Sequence, residues 1–164
     1  TCIMFDDVQE NLSKLREKIE NEDRIKSPVR LSKGDIVEME LDENDGITLD
    51  GQYETRRKYI VIIGVTSKGD IYGAYLINSK ISPFKNNDVM MEYQYILSKD
   101  DYPKLLKYNS FLDCSELFQI NKKKIVARKA KDRGVILEKD LNNILRLTKS
   151  SPFLSEDQKR KFRL

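Results

Sequence analysis

Apolar residues near the start of the chain recur with helical spacing. Val8, Leu12, Leu15 and Ile19 follow one another at intervals of 4, 3 and 4 residues within residues 6–22, which predicts an α-helix with a single apolar stripe. A stripe this narrow is too thin for a core helix. It indicates packing on the domain surface, on a second subunit or on a partner.

The middle of the chain changes to short apolar runs separated by turn signals, which predicts strands. The predicted strands are 36–41, 58–66, 71–80, 91–97, 110–120 and a short one around Ile125–Ala127. The run KYIVIIGVT has the composition of a central strand buried on both faces. Lys68-Gly69-Asp70 predicts a hairpin turn after it, and Gly73 and Ala74 in the next strand indicate a bend or a close backbone approach.

A helical pattern returns at residues 138–149, after the strands. Residues 151–164 begin a further helix after Ser155 or form a loose basic tail. This order of elements favours an α+β, mainly β fold, in which a small curled β-barrel carries helical caps. We therefore expect an N-terminal helix and linker (1–32), a barrel domain with its C-terminal helix (33–150) and a basic tail (151–164).

Composition limits the chemistry that this chain can perform. It contains no histidine, so Ser-His and Cys-His nucleophilic pairs are excluded, and proton transfer would fall to carboxylates, Lys, Arg or Tyr. The two cysteines, Cys2 and Cys114, lie far apart and are typical of ordinary thiols in a reducing cytoplasm. No apolar run is long enough to span a membrane. We expect a cytoplasmic protein.

Charge is distributed unevenly along the chain. Residues 121–164 hold 14 Lys/Arg and 5 Asp/Glu, whereas residues 1–120 hold 16 and 22. A basic C-terminal third on a mildly acidic body indicates a polyanionic partner, with a solvated helix face as the alternative. The basic runs at 122–124 and 128–133 would form a stripe that binds a nucleic-acid backbone if they shared a face with Arg57.

Three consecutive cations lie at the start of the predicted central strand. Arg56, Arg57 and Lys58 come directly before the apolar run YIVII, at a place where a turn residue is usual. A rigid strand can position a guanidinium that holds two phosphate oxygens at once. Edge charges that discourage strand pairing are the structural alternative.

Several stretches occur in an order typical of one protein family. These stretches are KGDIVEMEL, RRKYIVII, LINSKIS, SFLDCSELFQINKKKI and GVILEKDLNNILRL. Through them the chain resembles the MazF/PemK family of toxin endoribonucleases, between Gly34 and about Lys149. The resemblance implies an SH3-like small β-barrel of the MazF/CcdB-like kind. Residues 1–32 lie outside it, so the N-terminal helix would add to the dimer or cover part of the RNA groove.

The resemblance also implies an activity. Members of this family cut single-stranded RNA without a metal or other cofactor, by attack of a ribose 2′-hydroxyl that leaves a 2′,3′-cyclic phosphate and a 5′-hydroxyl. Arg57 takes the family's catalytic arginine position, with Arg56 as the alternative if the register shifts by one. Asn78 takes the position of the family's threonine or serine, and Ser79 beside it is the alternative catalytic residue that could substitute for it. Asparagine can donate a hydrogen bond but has no hydroxyl, so this departure bears on whether the site is active.

Further contacts are implied by the same resemblance. Many members have a glutamate in the loop before the arginine, and Glu54, Asp50 and Glu43 compete for that role, with Glu54 nearest to Arg57. Tyr53 in this loop is placed to stack on an unpaired base. The expected RNA-binding residues are Tyr53, Arg56, Lys58 and Lys80.

The implied biology is that of a homodimeric toxin inhibited by a cognate antitoxin, whose acidic, partly disordered segment occupies the RNA groove. Two alternatives stay open. A CcdB-like relative would share the barrel but poison DNA gyrase through the C-terminal helix. A non-catalytic SH3-like binding module would be favoured by acids crowded against Arg57, or by Asn78 turned away from it.

Overall fold

The structure, a computed structural model, describes residues 2–27, 29–49, 51–52 and 54–164. The helices are α1 (Cys2–Glu22), α2 (Asp88–Met91), α3 (Lys122–Ala127), α4 (Glu138–Ser150) and α5 (Glu156–Lys161). The strands are β1 (Asp35–Leu41), β2 (Arg56–Val65), β3 (Ile71–Asn78), β4 (Gln94–Leu97), β5 (Ser110–Asp113), β6 (Phe118–Asn121) and β7 (Lys131–Val135). Short 3-10 helices occupy Glu43–Asp45 and Pro83–Lys85. Within these ranges, no helix has the length and apolar content needed to cross a bilayer.

The strands form one antiparallel sheet in the order β4-β5-β3-β2-β1-β7. The remaining strand, β6, pairs with the first half of β3, and β5 pairs with the end of β3. No ladder among the described residues joins the outer strands β4 and β7, so the sheet is open rather than a closed barrel. The predicted α+β, mainly β class, with helices at both ends of the chain, is confirmed.

The hairpin of β2 and β3 forms the centre of the sheet, as the long apolar run predicted. Ile60, Val61 and Ile63 are fully buried, because both faces of β2 are covered. Gly69 closes the hairpin turn with a φ of +72°, a left-handed conformation that glycine adopts without strain. The predicted central strand and its turn are both confirmed.

The two faces of the sheet carry separate hydrophobic cores, because successive strand residues point to opposite sides. The first core includes Met39, Ile60 and Ile125 of α3. The second core includes Val61 and Ile144 of α4. Neighbouring residues of β2 therefore belong to different faces, which decides what each can contact.

Two of the predicted strands are wrong. Ile125–Ala127 belongs to α3, whose first turn is capped by the Asn121 side chain, which accepts a hydrogen bond from the Lys123 amide at 2.8 Å. The strand of this region lies just beyond, as β7. The single strand predicted at 110–120 is two strands, β5 and β6, separated by a turn after Asp113.

The C-terminal residues pack into the body instead of forming a loose tail. Phe162 is fully buried, directly after α5, the helix expected to begin beyond Ser155. A Cβ placed on Gly73 would lie 3.2 Å from the Phe162 ring, and one on Gly64 would lie 2.6 Å from the Phe162 carbonyl oxygen. The close approach expected at Gly73 is confirmed, and the C-terminal segment is what approaches.

Helix α1 presents its apolar stripe to solvent. Val8, Leu12 and Leu15 are 53%, 43% and 53% exposed, and all side chains of residues 6–18 are exposed. The expectation that these residues pack on their own domain is therefore wrong, whereas a second subunit or a partner stays open. The side chain of Ile19 lies outside the described part of the chain.

The predicted linker after α1 is attached to the edge strand β7. The Ile25 amide donates to the Ala130 carbonyl at 2.9 Å, and Arg24 forms an isolated antiparallel bridge with Lys131. Val29 is buried in the first core. This segment thus belongs to the packed body rather than connecting two separate parts.

Candidate functional site

The three cations at the start of β2 point to different faces of the sheet. Arg57 lies opposite Glu40 of β1 in the ladder, and Lys58 lies opposite Met39, a residue of the first core. Because side chains alternate along a strand, Arg56 and Lys58 share the face of the first core. Arg57 lies on the face of the second core.

Arg57 is held by carboxylates of β1. Its Nε lies 3.0 Å from Glu38 Oε1, and its Nη1 lies 3.4 Å from Glu40 Oε1. Arg133 also reaches Glu38, at 3.2 Å. Burial alone would raise the pKa of the Glu38 carboxyl, but the hydrogen bonds and charges of the two arginines outweigh burial and hold this pKa below its usual range. A phosphate that binds Arg57 through Nε or Nη1 would compete with these carboxylates.

The opposite face opens into a cavity of about 530 Å³ at the adjoining ends of β2 and β3. Five residues proposed from the sequence line it: Arg56, Lys58, Asn78, Ser79 and Lys80. We call this space the cationic cavity. It brings three cations together with an amide and a hydroxyl, which are the donors that anionic oxygens accept from.

Lys58 and Asn78 form the central contact of the cationic cavity. Lys58 Nζ donates to Asn78 Oδ1 at 2.8 Å. Because an ammonium can only donate, the carbonyl oxygen of Asn78 faces Lys58, and the amide N–H₂ is directed away, where it can donate to a ligand. Burial, followed by the charge of Arg56, lowers the pKa of Lys58 to about 8. Both protonation states of Lys58 are therefore accessible near neutral pH.

A smaller cavity meets the first at this edge of the sheet. It measures about 280 Å³ and shares Arg56, Lys58 and Ser79 with the cationic cavity. Its further lining includes Arg57, Lys107 and Tyr108. The start of β2 is therefore flanked by two polar depressions, with Arg56 and Lys58 between them.

A largely buried ion pair fixes one wall of the cationic cavity. Lys85 contacts the Asp113 carboxylate and lies 2.8 Å from Glu116 Oε2. Asp113 also accepts from Gln94 Nε2 at 2.8 Å and from Ser115. Burial would raise the pKa of Asp113, but these hydrogen bonds, that of Lys85 foremost, outweigh it and lower the pKa. The turn that carries Lys85 is thereby anchored to β5.

The remaining predicted site residues lie apart from this cavity. Glu54 is exposed and lines a separate acidic depression, so the structure does not bring it to Arg56. Tyr53 and the competing acid Asp50 lie outside the described residues. Ser79 and Lys80 are exposed at the rim, within reach of a bound ligand.

Cations of the basic C-terminal runs are paired with acids. Arg128 contacts Asp42 and Asp45, and Lys124 lies 3.2 Å from Asp45. Arg133 shares Glu38 with Arg57, as described above. Three of the cations considered for a stripe that binds a nucleic-acid backbone therefore belong to structural ion pairs.

No protein-family model matches the chain, and no curated protein matches its sequence significantly. The resemblance to the MazF/PemK family rests on the sequence motifs alone.

The sequence itself indicates that the three cations at 56–58 point to different faces of the sheet, although the family motifs do not. With the apolar run beginning at Tyr59, period-two alternation separates Arg57 from Arg56 and Lys58. The ion pair of Lys85 with Asp113 had no comparable signal, because its partners are 28 residues apart and meet only through the sheet.

Proposed function

We propose that the protein is a metal-independent endoribonuclease that cleaves single-stranded RNA in the cationic cavity. The observation that carries the proposal is the contact between Lys58 and Asn78 beside Arg56. It combines a proton-transfer group whose pKa is about 8 with fixed donors for a phosphate. The fold that goes with this proposal is an SH3-like fold of the MazF/PemK type, extended by α1, whose barrel, over the described residues, is left open between β4 and β7.

The reaction requires two proton transfers around one phosphorus atom. In our proposal the neutral amine of Lys58 accepts the proton of the ribose 2′-hydroxyl while the O2′–P bond forms. The P–O5′ bond breaks, and the leaving 5′-oxygen takes a proton from the Lys80 ammonium. Arg56 and the Asn78 amide stabilise the charge that accumulates on the non-bridging oxygens. The products are a 2′,3′-cyclic phosphate and a 5′-hydroxyl.

The proposal includes a biological setting. We infer a cytoplasmic toxin of a type II toxin–antitoxin system, inhibited by an antitoxin whose acidic segment occupies the cationic cavity. The charge of this cavity supports the inference, because Arg56, Lys58 and Lys80 all line it and suit an acidic peptide as well as RNA.

The homodimer belongs to the same proposal, with a second copy of the chain on the exposed stripe of α1. In an antiparallel pair, the acidic residues of positions 6–10 would face the basic residues of positions 14–18. We expect Leu12→Glu to lower the mass measured by sedimentation equilibrium. Ser13→Glu is the control, because it adds the same charge beside the stripe, and an equal loss of mass there would contradict this assignment.

The activity is tested by incubating the protein with a long unstructured RNA in excess EDTA. We expect fragments with 2′,3′-cyclic phosphate ends. Arg56→Ala should abolish cleavage, and Arg146→Ala, which removes an exposed arginine of α4, should not. Intact RNA at high protein excess would refute the ribonuclease.

Arg57→Ala decides between two assignments of the catalytic arginine. The motif comparison predicts that this variant is inactive. The geometry predicts that it retains most activity, because Arg57 is bound by Glu38 and Glu40 outside the cationic cavity. Retention of activity in Arg56→Ala together with its loss in Arg57→Ala would support the motif comparison.

A non-catalytic binding module is the second candidate function, and two observations favour it. Acids surround Arg57, and Asn78 contacts Lys58 rather than Arg57. Such a module would bind single-stranded RNA in the same cavity without cutting it. The EDTA incubation separates the two functions when RNA binding is measured in parallel.

A further inference from the structure

Two aromatic side chains stand in solvent beside the two cavities. Phe84 is 92% exposed and Tyr108 is 69% exposed. Exposed apolar residues are common on protein surfaces when they stand singly, so exposure alone does not assign a role to either ring. What distinguishes these two rings is that each is carried by a segment whose residues line one of the cavities.

Phe84 is presented by a fixed turn at the rim of the cationic cavity. Its neighbours Pro83 and Lys85 both line this cavity. Lys85 is bound to Asp113 and Glu116, so the backbone that carries Phe84 is anchored although the ring is not packed. The backbone is therefore preorganised, and contact with a ligand would cost mainly the rotamer freedom of the ring.

Tyr108 occupies the corresponding place on the smaller cavity. It lines that cavity together with Lys107 and Arg56. Its backbone is also tied, because the Tyr108 carbonyl accepts from Ser110 Oγ at 3.0 Å and the next side chain, Asn109, accepts from the Lys99 amide at 3.0 Å.

Strand β5 relates the two rings to each other. Tyr108 comes just before its first residue, Ser110, while the turn of Phe84 is fixed to its last residue, Asp113. Three residues of extended chain span about 10 Å. The segments that carry the two rings thus attach to opposite ends of β5, farther apart than one nucleotide, and the two cavities beside them share Arg56 and Lys58.

We propose that Phe84 and Tyr108 stack on unpaired bases on either side of the phosphate held by Arg56 and Lys58. This inference rests on the proposed function and specifies its ligand as an unpaired strand with bases splayed outward. Aromatic stacking combined with a cationic track is the usual way to bind single strands with little sequence preference. A duplex would be excluded, because its bases cannot reach the rings.

The test uses fluorescence anisotropy with a labelled, uncleavable 2′-O-methyl single strand and an abasic strand of equal length. We expect Phe84→Ala and Tyr108→Ala each to weaken binding of the base-containing strand by about 5- to 150-fold. Binding of the abasic strand should be unchanged in both variants. Phe84→Tyr and Tyr108→Phe should restore the affinity, because they keep the rings.

Three outcomes would overturn the stacking. One is unchanged affinity in both alanine variants, which would make Phe84 and Tyr108 part of a protein-docking surface. The second is an equal loss with the abasic strand, which would assign the effect to altered folding or to contacts with the backbone of the strand. The third is full binding of a duplex. If the rings respond as expected but the wild type does not cut RNA, the ribonuclease fails while the stacking stands.

Discussion

Arg57 and Asn78 point to opposite faces of the sheet, although β2 and β3 bring both residues to the same edge. Arg57 contacts Glu38 and Glu40 on one face, while Asn78 accepts from Lys58 on the other. A phosphate bound beside Asn78 would lie on the face of the sheet away from the two carboxylates that hold Arg57. The proposed site therefore depends on Arg56 and Lys58, which share the face of Asn78.

Lys58→Arg should abolish cleavage and leave RNA binding nearly unchanged. Arginine keeps the positive charge but does not lose its proton near neutral pH, so it cannot accept the proton of the 2′-hydroxyl. We expect kcat/KM to fall by at least about 100-fold, as measured by initial rates on a labelled RNA. In the wild type, kcat/KM should rise with pH until about 8, where Lys58 becomes neutral.

The matching comparison is Lys58→Ala, which should weaken both binding and cleavage. A Lys58→Arg variant that cleaves normally, or a wild-type rate that is flat between pH 6 and pH 8, would remove Lys58 from the proton-transfer step.

The central hairpin and α4 could be predicted because their signals are local. A seven-residue apolar run at 59–65 and a helical repeat each specify burial without reference to the rest of the chain. The strand predicted at Ile125–Ala127 failed for the opposite reason. Its β-branched residues suggest a strand, but the Asn121 cap and the packing of Ile125 in the first core favour a helix.

Most residues of the candidate site could be named from the sequence, but their grouping could not. Five of them line one cavity, whereas Arg57 is bound by acids that lie 17 and 19 residues away in sequence. Such a pairing depends on the register between β1 and β2, which no local pattern gives. The exposed ring of Phe84 was also missed, since only the folded turn shows that it is unpacked.

Lys58→Met should stabilise the fold at neutral pH. Because burial lowers the pKa of Lys58 in the folded state, the unfolded chain binds the proton more tightly, and folding of the protonated form is penalised. The penalty is present below about pH 8 and disappears as pH rises toward the usual lysine pKa of about 10.4. Solvent screening reduces it, and we expect a gain of about 1 kcal/mol at pH 7.

Urea unfolding at pH 7 and pH 10 measures this difference. The advantage of Lys58→Met should shrink at the higher pH, whereas Lys68→Met, in the exposed hairpin turn, should show no such change. An advantage that persists at pH 10 would point to better packing of methionine instead.

Glu38→Gln should destabilise the fold by about 1–3 kcal/mol at pH 7, because it leaves Arg57 and Arg133 without their shared carboxylate. The pKa of Glu38 is held below its usual value in the folded state. The Glu38 carboxylate therefore contributes to the free energy of unfolding above about pH 4.5, and this contribution is lost as pH falls through the folded pKa. At pH 7 the urea midpoint of Glu38→Gln should lie well below that of the wild type. At pH 3 the two midpoints should nearly coincide. Glu43→Gln is the control, and equal losses in both variants would contradict the pairing.

Gly64→Ala should destabilise the protein by about 1–3 kcal/mol. The added methyl group would lie 2.6 Å from the Phe162 carbonyl oxygen and 2.9 Å from the Phe162 Cβ, so the C-terminal segment would have to shift. Gly51→Ala is the matched control, because its added Cβ meets no atom of the described residues within 4 Å apart from its chain neighbours, and it should change stability by less than about 1 kcal/mol. Urea unfolding gives both values, and limited trypsin digestion should cut the C-terminal segment faster in Gly64→Ala only. Equal stability of the two variants would mean that Phe162 does not pack on β2 in solution.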